Sequence, residues 1–159
     1  MGRRSRTPPS TVTCVAALSP RLNAIVDALP LQPGVRVIEI GCGPGAAARE
    51  VAHRVGPSGH VLAVDRSAKA IAQLTESAAE LISTGRLTAR QVAAEELVLD
   101  PDEERYDLAF AVRVGAFDGR HPRAGSLALH RLGRALVPGG RLFIDGGDPL
   151  HEVVVPTAH

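Results

Sequence analysis

One stretch constrains this chain more than any other: VRVIEIGCGPGAAARE, Val35 to Glu50. A mostly β-branched run, VRVIEI, meets Gly41, Gly43 and Gly45 and passes at once into an alanine-rich segment. Strand, tight turn and helix follow one another with no spacer. Glycine in such a turn permits positive φ and lets a ligand come close to the backbone, and the helix N-terminus behind it offers free N–H groups and partial positive charge. A turn that binds nothing does not need glycine at every second position. The same residues satisfy the G-x-G-x-x-[G/A] pattern of dinucleotide sites, so the glycines alone leave the ligand open between a nicotinamide dinucleotide and another adenosine cofactor.

The rest of the chain alternates in the same way. RVIEI (Arg36 to Ile40), HVLAVD (His60 to Asp65), LTARQVA (Leu87 to Ala93), YDLAFAV (Tyr106 to Val112) and RLFID (Arg141 to Asp145) have strand length and composition. Helical spacing fills most of the gaps. Arg21 to Leu29 precedes the first strand, and Ala46 to Val55 stops at Gly56-Pro57. Ser67 caps a helix with apolar positions Ile71, Leu74, Ala78, Leu81 and Ile82, ending before Gly85. A further stripe, Leu127 to Leu136, is expected to end at Pro138-Gly139-Gly140. One helical turn is expected around Glu95 to Leu97. Strands alternating with helices predict an α/β fold with a doubly wound, mostly parallel sheet of five main strands, its ligand crevice at their carboxyl ends.

At 159 residues this is one domain, expected over 20–147, with a poorly ordered tail over 1–19 and a short tail over 148–159. A separate substrate domain has no room. The formal charge of +1, without a basic stripe, argues against a nucleic-acid or anionic-membrane partner. No run approaches the ~18 apolar residues that span a bilayer. Cys14 and Cys42 read as reduced thiols of a cytoplasmic protein, and neither stands in metal-ligand spacing. Asp148 and His151 lack a third ligand, so no metal is expected.

Three features bear on the cofactor. Glu39, two residues before the first glycine, is costly inside a buried strand unless it meets a cation or donor, and it repels a pyrophosphate. Asp65, at the end of the second strand, can accept both hydroxyl protons of a ribose. LGRALVPGGRLFIDGG, Leu132 to Gly147, runs a helix through Pro-Gly-Gly into the fifth strand. With these the chain resembles the class I S-adenosylmethionine-dependent methyltransferases, over about Arg21 to Gly147.

The resemblance implies S-adenosyl-L-methionine as cofactor. Glu39 with the loop Gly41, Cys42, Gly43 and Gly45 is then expected at its methionine end, Asp65 at the ribose, and Arg66, Ala94 and Glu95 at the adenine. Many members carry an Asp where this chain has Ala93. The acceptor, expected to be a small molecule, belongs beyond the fourth strand, where Arg113, Asp118, Arg120 and His121 cluster. His121 and Asp118 are the candidate bases. Arg113 either clamps an acidic substrate or pairs with a nearby carboxylate. The helix and hairpin that usually follow strand five in this family are lacking. The edge of that strand is therefore expected to be covered by the tail or by a second subunit in a homodimer. Two other readings stay open: a non-catalytic cofactor-binding module, and, less compatible with Glu39, a nicotinamide-dependent oxidoreductase.

Overall fold

The structure, a computed structural model, describes residues 18–157. Nearly all of the expected N-terminal tail, Cys14 included, lies outside the described residues. The first element is α1 (Pro20–Ala28), where Ser19 caps the helix by accepting from the Leu22 N–H and Pro20 supplies the fixed φ of the first turn. Next come β1 (Arg36–Ile40), α2 (Ala46–Val55) and β2 (His60–Asp65), with the bounds expected from the pattern. After them lie α3 (Ala68–Ser77), α4 (Ala79–Ser83), β3 (Leu87–Gln91), β4 (Tyr106–Ala111), α5 (Pro122–Ala135), β5 (Leu136–Asp145) and β6 (Leu150–Val153).

The six strands form one sheet in the order β3-β2-β1-β4-β5-β6, parallel except for β6. Side chains alternate along β1, so its two faces feed two apolar layers. Val37 packs with Val26, Val51, Val55 and Leu74 under α1, α2 and α3. Ile38 and Ile40 pack with Leu62, Ala128 and Leu132 under α5. Both faces of the sheet are covered, which is why β1, β2 and β4 read as near-continuous apolar runs. The exception inside β1 is Glu39, on the same face as Val37.

Four expectations need correction. The helix after Ser67 is not continuous, because the backbone of Ala78 leaves helical geometry (φ −110°, ψ 21°) and separates α3 from α4. The helix before Pro-Gly-Gly ends at Ala135, since Leu136 is already extended (φ −91°, ψ 149°) and pairs with Tyr106. Pro138 has no N–H to give the ladder, and Pro138 to Gly140 are absorbed as an irregularity between the pairs Tyr106↔Leu136 and Leu108↔Arg141. β3 and β4 end slightly short of the expected bounds, at Gln91 and Ala111.

The sheet has six strands where five were expected. The sixth comes from the short C-terminal tail: Leu142↔Val153 through Asp145↔Leu150 pair antiparallel, and Arg141 donates to both carboxylate oxygens of Glu152 at 3.0 and 2.9 Å. The edge of β5 is thus covered by the tail itself.

Candidate functional site

β1 and β4 are neighbours in the sheet, and from them the chain winds outward in opposite directions. Such a switch point leaves a crevice at the carboxyl ends of the two strands. There the structure has a cavity of about 500 Å³, within the range of small-molecule and cofactor sites. One wall is Asp65 and Arg66 after β2 with Val92 to Glu95 after β3; the other is Arg113 to Ala116 after β4 with Arg120, His121 and Ala124 at the start of α5. Ile40 and Gly41 lie between them.

The glycine loop is built for different reasons at each position. Gly41, Gly43 and Gly45 all have positive φ (68°, 55° and 91°). A Cβ on Gly45 would stand 2.1 Å from Leu74 Cδ1, and one on Gly41 2.6 Å from Val114 Cγ2, so these two glycines are also needed for packing. A Cβ on Gly43 would meet no protein atom within 4 Å. Space is left at Gly43 that the fold does not use. Cys42 ties the loop to β2 through its N–H, which donates to the Val64 carbonyl at 3.0 Å. Its thiol is buried, and burial followed by the charges of Glu39 and Asp65 pushes it up to about 12.

Glu39 is 4% exposed, and its Oε2 has no hydrogen-bond partner among the described residues. Burial, reinforced by the nearby negative charge of Asp65, raises its carboxyl to about 8. A buried unpaired carboxylate costs several kcal/mol unless it is protonated or meets a cation. Asp65 is fully engaged in shaping the site: Oδ2 accepts from the Gly43 N–H at 2.9 Å and Oδ1 from the Ser67 N–H at 2.8 Å. Each oxygen keeps a second lone pair for a ligand.

Outside the opposite wall the Asp118 carboxylate is held by the Arg120 guanidinium and backbone N–H, and the hydrogen bond from that side chain lowers its pKa. A carboxylate so held is a weaker base than a free one. His121 sits at the N-cap of α5, makes no side-chain cap bond, and lines the cavity. Arg113 lines it too, and its backbone is unusual: φ is 56°, the one positive value outside glycine among the described residues. Its N–H donates to Asp145 Oδ1 at 3.0 Å, while Asp145 Oδ2 accepts from Arg21 at 2.9 Å.

Of the residues expected at the site, the structure brings Gly41, Asp65, Arg66, Ala94, Glu95 and His121 to the cavity surface. Glu39, Cys42, Gly43, Gly45 and Asp118 do not line it. Glu39, Cys42 and Gly45 are buried, and Asp118 faces solvent with Arg120. Sequence reasoning missed Val114, Ala116 and the bridging role of Asp145; the last had a signal in its place at the end of a strand beside Gly146-Gly147. Among the described residues no group of three His, Cys, Asp or Glu is placed to hold a metal ion, and no helix is long and apolar enough to cross a membrane.

A family model described as "Methyltransferase domain" matches residues 37–140. A protein-L-isoaspartate O-methyltransferase of Methanothrix thermoacetophila is 31% identical over 131 residues, 82% of this chain and 56% of that protein. A ribosomal RNA large subunit methyltransferase E of Acidithiobacillus ferrooxidans is 31% identical over 119 residues, 72% of this chain and 52% of that protein. This chain therefore spans about half the length of these relatives. In fold it is similar to phosphoethanolamine N-methyltransferase 1 of Haemonchus contortus, solved with phosphoethanolamine and S-adenosylhomocysteine. The TM-score is 0.64 at 22% identity, over 78% of this chain and 24% of that one.

Proposed function

The chain belongs to the methyltransferase-domain family, with the class I S-adenosylmethionine-dependent fold, and from that premise we propose that it transfers the methyl group of S-adenosyl-L-methionine to a small-molecule acceptor. The observation that carries the reading is Glu39. A buried Oε2 without a partner, beside a loop that leaves open space at Gly43, suits a ligand bearing an ammonium group and is hostile to a pyrophosphate. The amino-acid end of S-adenosylmethionine has that ammonium, so the residues present fit the cofactor.

Glu39 and the Gly41–Gly45 loop would hold the methionine end, Asp65 the ribose hydroxyls, and Arg66, Ala94 and Glu95 the adenine. The bound cofactor supplies a methyl group already activated by its sulfonium. What remains for this chain is alignment and water exclusion, which can contribute roughly 7–11 kcal/mol to a bimolecular transfer. The wall from Arg113 to His121 is where an acceptor would be aligned. His121 is the better placed of the two candidate bases, because it lines the cavity and Asp118 is taken by Arg120. His121 would take the proton that an alcohol or ammonium acceptor releases.

A small acceptor is favoured by the size of the cavity, about 500 Å³, and by the absence of a basic stripe, although the relatives named above include enzymes whose names specify protein and RNA acceptors. The test is incubation with methyl-labelled S-adenosylmethionine and three pools: low-mass metabolites, total RNA and total protein. Label appearing in a low-mass product supports the reading. Label confined to RNA or protein overturns the acceptor class, and cofactor binding without transfer to any pool overturns catalysis.

A further inference from the structure

The cavity is electrically lopsided. Both acids that line it, Asp65 and Glu95, are on the wall built after β2 and β3, which carries one base, Arg66. The wall after β4 contributes Arg113, Arg120 and His121 and no acid. Arg120 is already neutralised by Asp118. Arg113 is not: among the described residues its guanidinium has no hydrogen-bond or salt-bridge partner, and only its backbone N–H is used. The pairing with a nearby carboxylate that its position invited does not occur.

The backbone of Arg113 argues that the side chain is wanted there. A non-glycine residue at a φ of 56° costs ~1–2 kcal/mol relative to glycine. A turn needing only that shape is cheapest with glycine, as at Gly119 nearby, where φ is 84°. Asp145 holds the strained turn by accepting the Arg113 N–H at 3.0 Å, and Arg21 anchors Asp145 in turn at 2.9 Å. Two elements, α1 and β5, thus fix the backbone of a residue that lines the cavity and whose guanidinium is unpaired among the described residues. Strain of this kind concentrates at ligand clamps.

We propose that Arg113 determines acceptor specificity by receiving an oxyanion of the methyl acceptor, a carboxylate or a phosphate. This rests on the methyl-transfer reading above. A guanidinium presents a planar fork of donors that matches either oxyanion in bidentate fashion. Oxyanion recognition on the β4 wall would orient the acceptor with its reacting atom toward the opposite, acidic wall where the cofactor lies. Arg113 is exposed in the free protein, and a neutral acceptor seated against it would strip its water without returning those hydrogen bonds, and so be disfavoured.

The test is an NMR titration of ¹⁵N-labelled protein saturated with S-adenosylhomocysteine, using inorganic phosphate and, separately, succinate as probes, on the wild type, Arg113→Gln and Arg113→Lys. Amide spectra also show that each variant is folded. At least one probe is expected to shift the amides of residues 113–116, with affinity falling tenfold or more in Arg113→Gln and partly kept in Arg113→Lys. S-adenosylhomocysteine affinity should stay within threefold throughout. The proposal is overturned if neither probe shifts this segment, if Arg113→Gln binds both as the wild type does, or if Arg113→Gln loses S-adenosylhomocysteine tenfold, which would give Arg113 to the cofactor. Should the wild type not bind S-adenosylhomocysteine, the cofactor reading fails separately, and the same titration without it still decides Arg113.

Discussion

The Asp65 carboxylate accepts the Gly43 N–H at 2.9 Å, so the residue that ends β2 also holds the glycine loop that ends β1. With its second oxygen on the Ser67 N–H it joins loop, strand and the start of α3. The ribose role inferred for this acid is thus combined with a structural one.

Asp65→Ala removes both acceptors. It should weaken S-adenosylhomocysteine by ~1.5–3 kcal/mol, the range for hydrogen bonds to a charged group, which is roughly ten- to a hundredfold by calorimetry. The Gly43 amide should also exchange faster with deuterium than in the wild type. An unchanged affinity would remove Asp65 from the site.

Glu39 makes both stability and binding depend on pH. Its folded pKa of about 8 lies above the ordinary value of 4.5, so the folded state holds a proton that the unfolded state has lost. That contribution is complete below pH 4.5 and is lost as pH rises through 8. The free protein should therefore lose on the order of a few kcal/mol from this group across that window in denaturant melts. Glu39→Gln should flatten the profile and stabilise the free protein at pH 8, yet weaken S-adenosylhomocysteine at least tenfold. Binding to the wild type at pH 7 should release most of one proton, seen as a calorimetric enthalpy that varies with the buffer's heat of ionisation.

Gly43→Ala and Gly45→Ala separate ligand space from packing. At Gly45 the new Cβ meets Leu74 Cδ1 at 2.1 Å and φ is 91°, so folding stability should fall by ~2–5 kcal/mol. At Gly43 nothing lies within 4 Å, so only the backbone penalty of ~1–2 kcal/mol applies. S-adenosylhomocysteine affinity should nevertheless fall tenfold or more in Gly43→Ala, because the space is the ligand's. Equal affinity in Gly43→Ala and wild type would show that the loop's open side is not used.

The proposed cofactor side of the crevice could be drawn from the sequence because it depends on local chemistry. Glycine spacing, Glu39 inside an apolar strand and Asp65 at a strand end each carry a physical requirement visible in one dimension. Five of the sheet's strands were legible for a related reason: buried parallel strands are continuous apolar runs bounded by turn residues. What escaped depends on distant parts meeting. Asp145 acts on Arg113 across 32 positions and on Arg21 across 124, and no local pattern marks such a bridge. The β5 boundary escaped because Pro-Gly-Gly, a helix stop in sequence, is here absorbed in an irregular strand pairing with β4. The strand Leu150–Val153 was foreseen only as a cover for the exposed edge of β5, because LHEV is short and half polar and carries little strand signal of its own.

That dependence can be measured. Removing residues 148–159 should uncover the β5 edge, lower the melting temperature and promote self-association in sedimentation velocity. A monomer with unchanged melting temperature would mean that β6 contributes nothing to the sheet's integrity.

The most direct test of the central claim is calorimetric titration of the full chain with S-adenosylhomocysteine and with NAD⁺ under the same conditions. One-to-one binding of S-adenosylhomocysteine, lost in Glu39→Gln, with no heat from NAD⁺ is the predicted result. Binding of NAD⁺ without binding of S-adenosylhomocysteine would contradict it.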